Sequence, residues 1–388
     1  MQRKKSYNAK EIRRIKDEIE NDELLKKQIE NLREEIEEKL SDLKYSVVDK
    51  EMIPASGNKH DYYSIGIYAW PNPETKDGLP WILDDCKANP YVKTMASDSI
   101  RIERFCNDIM ILTVLYYIYE EKKYLDKIIE LLNEWFINKE TKMNPNMNYA
   151  QAIPGVCTGR GIGLIDARQF IKLITFIEVL EEDRLIDKNL LNEMREWFKE
   201  FITWMEESDN GKDEEASINN HGSWYEAELT TFALFIGEKE KVKSRLGRFI
   251  EKIKTQITFE GNQPLEIQRK KSWHYFIFNL EAMFIGFRNL EYVLNNNDLV
   301  EVKSLLKNAL EFMIKKHNKN DWENKNDIEF FISELRERKF LPILFEMTQE
   351  EIIEVEKIEE IEKIANMTRL EKLLNTQNDY TILFPLVR

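Results

Sequence analysis

A short run near the middle of the chain combines side chains suited to acid–base chemistry on an anion. In order it contains Asn219, Asn220, His221, Gly222, Ser223, Trp224 and Tyr225, in a chain with only 4 histidines. A polar stretch precedes the run and helical sequence follows it, so we expect Asn220 and His221 at a helix N-terminus, where free N–H groups suit a carboxylate. Trp224 and Tyr225 are expected to bind substrate. Asn219 fits an N-cap equally well, and the alternative for His221 is a histidine satisfied within the core.

A second cluster lies further along the chain and consists of Arg269, Lys270, Lys271, Ser272, Trp273, His274 and Tyr275. A guanidinium such as that of Arg269 can clamp a carboxylate with two hydrogen bonds, and the phenol of Tyr275 can exchange a proton. Consecutive residues at the start of a helix point in different directions, so Trp273, His274 and Tyr275 cannot all face one pocket. His274 and Tyr275 therefore compete for the catalytic role.

An amide-rich loop provides further candidates for binding a sugar. It contains Asn148, Tyr149 and Gln151, and the segment from Gly159 to Gly163 follows it. No strand precedes these glycines and their spacing is wrong for a phosphate-binding loop. We expect them to let the backbone turn tightly and present Arg160 to a sugar acid.

Aromatic residues are concentrated in the irregular sequence between Glu51 and Lys93, which includes Tyr62, Tyr63 and Trp70. An ordered loop of this length usually has a function, so these three residues are candidates for a lid or a sugar subsite. The alternative is that their rings plug one end of a helical barrel.

Helices must position these clusters, because Gly and Pro are few and long stretches are rich in Leu, Ile, Glu and Lys. Apolar residues recur at three- and four-residue intervals from Glu11 to Leu43, which indicates an amphipathic helix. Paired helical stretches follow from Ile100 to the C-terminus, and no repeat of fixed length is present. We therefore predict an all-α protein, an incomplete (α/α) toroid of antiparallel helix pairs (residues 51–388) with an N-terminal helical extension (residues 1–50).

Helical stretches are predicted at these positions: Arg104–Glu121, Tyr124–Phe136, Asp166–Leu180, Asp187–Ser208, Trp224–Ile236, Glu238–Thr255, Trp273–Asn295 and Leu299–Lys316. Further helices are predicted towards the C-terminus. No alternating strand pattern of useful length occurs, although Tyr380–Val387 could form a short extended segment.

The composition limits the possible partners. A formal net charge of −14 disfavours a nucleic-acid binder but leaves room for an anionic polysaccharide in a locally basic cleft. Cys86, Cys106 and Cys157 have no zinc-site spacing, so we expect them to be buried and unpaired, with no metal or cofactor required. No export signal and no membrane-spanning run is found, which predicts a soluble chain, cytoplasmic or stripped of a leader. The oligomeric state is left open.

Several segments together resemble the alginate lyase family of the α/α-toroid class. They are Asp61–Tyr63 with Tyr68–Pro71, Met143–Gly155, Gly159–Gly163, Asn219–Tyr225, and Gln263–Glu266 through Phe278–Glu281. The resemblance covers roughly Asp61 to Ala282 and implies a helical toroid that performs β-elimination at a uronate.

The resemblance also implies site residues. Asn220 and His221 match the family's Asn-His pair, Tyr275 its catalytic tyrosine, and Arg269 its charge-neutralising arginine, for which Lys271 could substitute. Asn220, His221 and Arg269 would neutralise the uronate carboxylate, and Tyr275 would protonate the leaving oxygen. For syn elimination Tyr275 could also take the C5 proton, whereas His221 is the better base for anti elimination.

Two alternatives remain at this stage. A helical toroid could instead hold a glycoside hydrolase that uses paired carboxylates, and the candidates are Asp166, Glu226, Glu228, Glu266 and Glu281. The chain could also be a sugar-binding helical protein without catalysis. The identity of the uronate and the choice between endo and exo action depend on the shape of the pocket, which the sequence does not reveal.

Overall fold

A computed structural model describes Lys16, Ile19, Glu20 and residues 23–316. The described residues up to Ala216 belong to one compact unit, and those from Ser217 onward belong to a second. The predicted helices beyond residue 316, the extended segment Tyr380–Val387 and most of the predicted helix before residue 23 lie outside the described residues. The proposed division at residue 50 stays a prediction.

The described α-helices of the first unit include α1 (Glu23–Lys39), α2 (Ser99–Tyr119), α3 (Lys122–Leu132), α4 (Gln169–Glu182), α5 (Lys188–Glu207) and α6 (Asp209–Ala216). A π-helical turn, Asn133–Ile137, prolongs α3, and a 3-10 helix, Gly161–Arg168, leads into α4. Helices α2 and α3 form a hairpin, since α2 ends where Glu120 adopts a left-handed conformation with φ 55°. Helix α1 joins this hairpin through hydrogen bonds from Arg33 to Glu121 and from Tyr124 to Glu37.

The sequence of α5 shows why these elements are helical. Its buried residues, which include Leu190, Met194, Trp197 and Phe201, recur every three or four positions and form one apolar face. Trp197 stacks on Phe201 with their ring centroids 5.2 Å apart. Packing of this face therefore stabilises the helix more than intrinsic helix propensity does.

Short strands interrupt the irregular sequence of the first unit, and none of them was predicted. They are β1 (Tyr63–Ile65), β2 (Ala69–Trp70), β3 (Ile82–Leu83) and β4 (Tyr149–Ala152). Strand β1 pairs in parallel with β4, while β2 and β3 form an antiparallel pair. The aromatic-rich sequence between Glu51 and Lys93 and the amide-rich loop around Asn148 are thus joined by the backbone hydrogen bonds of β1 and β4.

The described helices of the second unit are α7 (Asn220–Phe235), α8 (Lys239–Ser244), α9 (Leu246–Gln256), α10 (Pro264–Ile267), α11 (Ser272–Val293) and α12 (Val300–Lys316). Helices α7 and α11 pack along each other, and α11 also contacts α10 and α12. Almost every side chain of α7 is buried, which makes it a central helix of this unit.

The helical stretches predicted between residues 104 and 316 are confirmed as helical, with shifted ends. The stretch Glu238–Thr255 is divided into α8 and α9 at Arg245, and the polar run after Ser208 forms α6, which was not predicted. None of the described helices is long and apolar enough to cross a membrane.

The prediction for the cysteines is partly wrong. None of the three forms a disulfide bond, but only Cys106 is buried, whereas Cys86 and Cys157 are half-buried. Burial raises the pKa of the Cys106 thiol well above its ordinary value.

Candidate functional site

The first turn of α7 positions Asn220 and His221, as the sequence predicted. The side chain of Asn219 caps the helix by accepting a hydrogen bond of 3.1 Å from the backbone N–H of His221. Asn220 is 1% exposed, while His221 is half-buried. An amide and an imidazole therefore lie at the positive end of a central helix.

A buried carboxylate, Glu266 of α10, holds Asn220 in place. The backbone N–H of Asn220 donates to Oε1 of Glu266 at 2.7 Å, and its side-chain Nδ2 lies 3.1 Å from Oε1 and 3.0 Å from Oε2. Glu266 is only 1% exposed, so its burial raises the pKa of the carboxyl group, against the lowering effects of Asn220, Arg269 and His221.

Arg269 and Tyr275 are in direct contact. The guanidinium carbon of Arg269 lies 3.8 Å from the centroid of the Tyr275 ring, which is cation–π geometry. Tyr275 lies in the first turn of α11 and is 8% exposed. Arg269 is half-buried and precedes that helix. Its charged group lies against the phenol ring.

His274 and Lys271 occupy the neighbouring positions. The His274 ring meets Tyr275 edge-on at 5.2 Å and stacks on Phe278 at 5.7 Å. Lys271 immediately precedes α11 and accepts the backbone hydrogen bond of Tyr275 on its carbonyl oxygen. Both side chains are half-buried, and their predicted contacts with substrate stay predictions.

Glu266 connects the predicted catalytic residues within the second unit. It binds Asn220 directly, and it interacts electrostatically with His221 and Arg269. Arg269 in turn contacts Tyr275. Through Glu266 and the contact of Arg269 with Tyr275, the amide, imidazole, guanidinium and phenol groups belong to one connected set of interactions.

The contact of Glu266 with Asn220 was not predicted, although Glu266 was named as a possible hydrolase carboxylate and within the family-like segment Gln263–Glu266. Glu266 and Asn220 are 46 positions apart, and no local pattern reports such a contact. The available signal was Pro264, whose ring favours the first position of a helix and so fixes the short α10.

The structure contradicts the substrate contacts predicted for Trp224 and Tyr225. Both side chains are 0% exposed because α7 is enclosed on nearly all sides. Trp224 packs on Phe278 with ring centroids 4.8 Å apart, and Arg245 lies 5.7 Å from the centroid of the Tyr225 ring. These rings belong to the core that supports the site.

Tyr62 is also a core residue, contrary to its predicted place in a lid or subsite. It is fully buried, and its hydroxyl donates to Oδ2 of Asp166 at 3.0 Å. Burial, together with the charge of Asp166, raises the pKa of the Tyr62 phenol well above its ordinary value. Ser64 and Gln151 donate to the same carboxylate, so Asp166 organises this part of the first unit.

Arg160 is held by Gln151 rather than by an acid. Its Nε donates to the Gln151 backbone oxygen at 2.9 Å, and its Nη2 donates to the Gln151 side-chain oxygen at 3.2 Å. A Cβ at Gly66 would lie 2.7 Å from Nη2, so the glycine leaves room for the guanidinium. Burial lowers the pKa of Arg160 from its very high ordinary value.

The other predicted binding residues of the first unit keep some exposure. Tyr63 and Tyr149 are half-buried partners in the β1–β4 pair, and Asn148 is exposed, with its Oδ1 accepting from Trp204 at 2.9 Å. Trp70 is half-buried, and the ammonium of Lys87 lies 4.8 Å from its ring centroid. These four side chains can therefore still meet a ligand.

Three of the five carboxylates considered for a hydrolase already serve structural contacts. Asp166 and Glu266 accept the hydrogen bonds described above, and Glu226 accepts from Nε of Arg245 at 2.9 Å inside the core. Within the described part of the chain, no group of three His, Cys, Asp or Glu side chains is arranged to hold a metal ion.

Comparisons with known proteins agree on one family. A sequence model described as alginate lyase matches residues 46–322. Six chains of solved structures match significantly; one, an alginate lyase from Bacteroides ovatus, is 30% identical, with 87% of this chain and 91% of that chain covered at a TM-score of 0.73. This likeness confirms the predicted fold class. A comparison with curated proteins finds no significant match.

Proposed function

Since this chain belongs to the alginate lyase family and is a polysaccharide lyase, we propose that it cleaves a uronate-containing, alginate-like polysaccharide by β-elimination at the Asn220–His221–Arg269–Tyr275 cluster. The observation that carries the proposal is the contact of the Arg269 guanidinium with the Tyr275 ring. In addition, Arg269 and His221 both interact electrostatically with the carboxylate of Glu266. A guanidinium, which is able to bind an anion, lies against a phenol, which is able to transfer a proton.

The hard step of β-elimination is removal of the C5 proton next to the uronate carboxylate. The resulting carbanion is stabilised only when negative charge moves onto that carboxylate, so the enzyme must supply positive or hydrogen-bond-donating groups there. Asn220, His221 and Arg269 provide an amide, an imidazole and a guanidinium. Their charge stabilisation would be realised mostly in the transition state, which raises kcat.

Tyr275 completes the proposed reaction by donating its phenolic proton to the O4 oxygen as the glycosidic bond breaks. If proton and leaving group lie on the same face of the sugar, the phenolate form of Tyr275 can also remove the C5 proton and then pass it on. If they lie on opposite faces, His221 takes the C5 proton. Both routes leave an unsaturated sugar at the new non-reducing end.

Further contacts with the polymer are proposed for residues that remain accessible around the cluster and in the first unit. Lys271 and His274 flank Tyr275, and Arg160 offers a guanidinium held by neutral groups. Tyr63, Asn148, Tyr149 and Trp70 could stack on or bond to sugars, and Gln151 positions Arg160. Unsaturated product also separates this proposal from hydrolysis, which adds water and leaves no double bond.

The test is the variant Tyr275→Phe, which removes one hydroxyl and keeps the ring that Arg269 contacts. We expect kcat on a cleavable polyuronate to fall about 10²–10⁴-fold, because general acid–base catalysis contributes this much. The rate is followed by the ultraviolet absorbance of the unsaturated ends. Undiminished product formation would refute the assignment.

The matched control is Tyr292→Phe, which removes the same hydroxyl from the other end of α11. Tyr292 is half-buried and its ring lies 4.6 Å from the ammonium of Lys239. We expect this variant to keep the activity of the parent enzyme. A loss equal to that of Tyr275→Phe would show that the helix, and not the phenol, had been perturbed.

A further inference from the structure

Glu266 is an unexpected group in a site for an anion, and the inference drawn from it rests on the proposed function. Its carboxylate is 1% exposed and accepts from both the backbone and the side chain of Asn220. A uronate carboxylate bound by Asn220 would therefore approach a second, buried carboxylate. Two carboxylates in one site repel each other, which disfavours the ionised form of one of the two groups.

The amide of Asn220 adds a second, independent observation. Its Nδ2 faces Glu266, while its Oδ1 is buried and has no hydrogen-bond partner among the described residues. A buried acceptor without a donor destabilises the state in which it occurs. The site thus contains an acceptor that lacks a donor, immediately beside a carboxyl group that could become one.

The charges around Glu266 also favour the protonated form of its carboxyl group once substrate is present. Two positively charged or titratable groups lower the pKa of Glu266, namely Arg269, which follows α10, and His221, in the first turn of α7. With Glu266 ionised, a bound uronate would bring a second negative charge beside it and compete with it for Arg269. Elimination moves still more negative charge onto the uronate carboxylate.

We propose that Glu266 takes up one proton from solvent when the uronate binds, and that its carboxyl O–H then donates to Oδ1 of Asn220. The amide of Asn220 turns over in this step, so its NH2 group is directed to the uronate carboxylate. The backbone N–H of Asn220 still donates to Oε1 of Glu266. On release of product, the proton returns to solvent and the amide turns back. Glu266 is accordingly a positioning residue that acts through Asn220.

The first test measures proton uptake on binding, in the full-length Tyr275→Phe variant, whose slow turnover limits consumption of the substrate. An oligosaccharide of a uronate that the parent enzyme cleaves is titrated calorimetrically at about pH 8, in buffers of different ionisation enthalpy. We expect Tyr275→Phe to bind close to one proton more than the double variant with Glu266→Gln. Equal uptake by the two variants would overturn the proposal.

A second measurement needs no change at Glu266. The infrared difference spectrum of the Tyr275→Phe variant, with and without the oligosaccharide, should lose a carboxylate stretch of the protein and gain the stretch of a protonated carboxyl. A spectrum that shows binding without this gain contradicts the proposal, whatever the folding of the Glu266 variants.

The third test uses the activity of single variants. The NH2 group of Glu266→Gln can donate permanently to Oδ1 of Asn220, so we expect kcat within about tenfold of the parent and loss of the decline in kcat/KM at alkaline pH. Glu266→Leu offers no donor and should lose about 10²-fold or more. Equal loss in both variants, each with parental circular dichroism, would overturn the proposal.

The outcomes separate this inference from the proposed function. If the parent enzyme forms no unsaturated product from any polyuronate, the proposed function fails. If product forms but binding is not linked to a proton on Glu266, only the present inference fails.

Discussion

At the scale of single residues, the side chain of Arg269 contributes shape as well as charge. Its planar guanidinium lies 3.8 Å from the centroid of the Tyr275 ring and is half-buried. A guanidinium can stack on the ring and still present two N–H groups to a carboxylate, whereas an ammonium is a compact point charge that cannot do both. Arg269 is therefore the better candidate for the neutralising cation than Lys271.

This reasoning predicts a graded series of variants. Arg269→Met should lower kcat about 10²–10³-fold, the cost of removing one group that stabilises developing charge. Arg269→Lys should recover only part of that loss, because charge returns without the planar contact. Steady-state kinetics on a cleaved polyuronate provide the measurement.

The control for this series is Lys270→Met, which removes one positive charge from the exposed neighbouring position. We expect parental kcat, with at most a weak dependence on salt. If Arg269→Lys were fully active, charge alone would be sufficient, and the argument from shape would be wrong.

At the scale of elements, the first turn of α7 carries both catalytic candidates and depends on one cap. Asn219 accepts from the backbone N–H of His221 and thereby stabilises the turn that holds Asn220 and His221. Asp187 caps α5 in the same manner, accepting from the backbone N–H of Asn189 at 2.8 Å. The two caps are chemically alike, but only the first lies beside the candidate site.

We therefore expect Asn219→Ala and Asp187→Ala to reduce the free energy of unfolding similarly, by about 1 kcal/mol each. Only Asn219→Ala should also lower kcat, because fraying of the first turn displaces Asn220 and His221. Denaturant titrations and kinetics on both variants give the comparison. Equal activity in the two would mean that Glu266 alone fixes the turn.

At the scale of the whole chain, the first unit contains a buried cluster of charges. Nζ of Lys50 lies 3.0 Å from Oδ2 of Asp98, with both side chains 0% exposed, and Arg101 lies 3.2 Å from the same carboxylate. Asp98 also accepts from the backbone N–H of Tyr63, which starts β1. Burial raises the pKa of Asp98 to about 6, against the attraction of Lys50 and Arg101.

Replacing Asp98 by Ala should destabilise the protein by about 3–5 kcal/mol, since Lys50 and Arg101 would remain buried without their counter-ion. Asp84→Ala is the control, because Asp84 pairs with Lys87 at the surface, where a pair contributes at most about 1 kcal/mol. Urea unfolding followed by circular dichroism measures both. Similar midpoints for the two variants would contradict the argument.

The helices could be predicted from the sequence because their signals are local. Apolar spacing located α5, and the polar run before Asn220 indicated the start of α7. Side-chain burial was not predictable in this way. Trp224 and Tyr225 were expected to bind substrate, but whether a ring on α7 faces solvent depends on the packing of α11 against it, which the sequence of one helix does not contain.

Contacts between distant segments account for the rest of what was missed. Glu266 meets Asn220 from another part of the chain, and Tyr62 meets Asp166 across 104 positions. Strands of three and four residues, such as β1 and β4, are too short for an alternating pattern to stand out. The types of the candidate catalytic residues were therefore predictable, whereas the contact of the Glu266 carboxylate with Asn220 was not.

The parallel pairing of β1 with β4 has a consequence for how the first unit folds. Tyr63 pairs with Tyr149 and Ile65 with Ala152, so this small ladder closes a loop of roughly eighty residues. Loop closure on this scale costs chain entropy before the new hydrogen bonds offset it, which places such pairings late in folding. The aromatic and amide-rich segments should accordingly gain protection from hydrogen exchange together, as one cooperative unit, and lose it together on local unfolding.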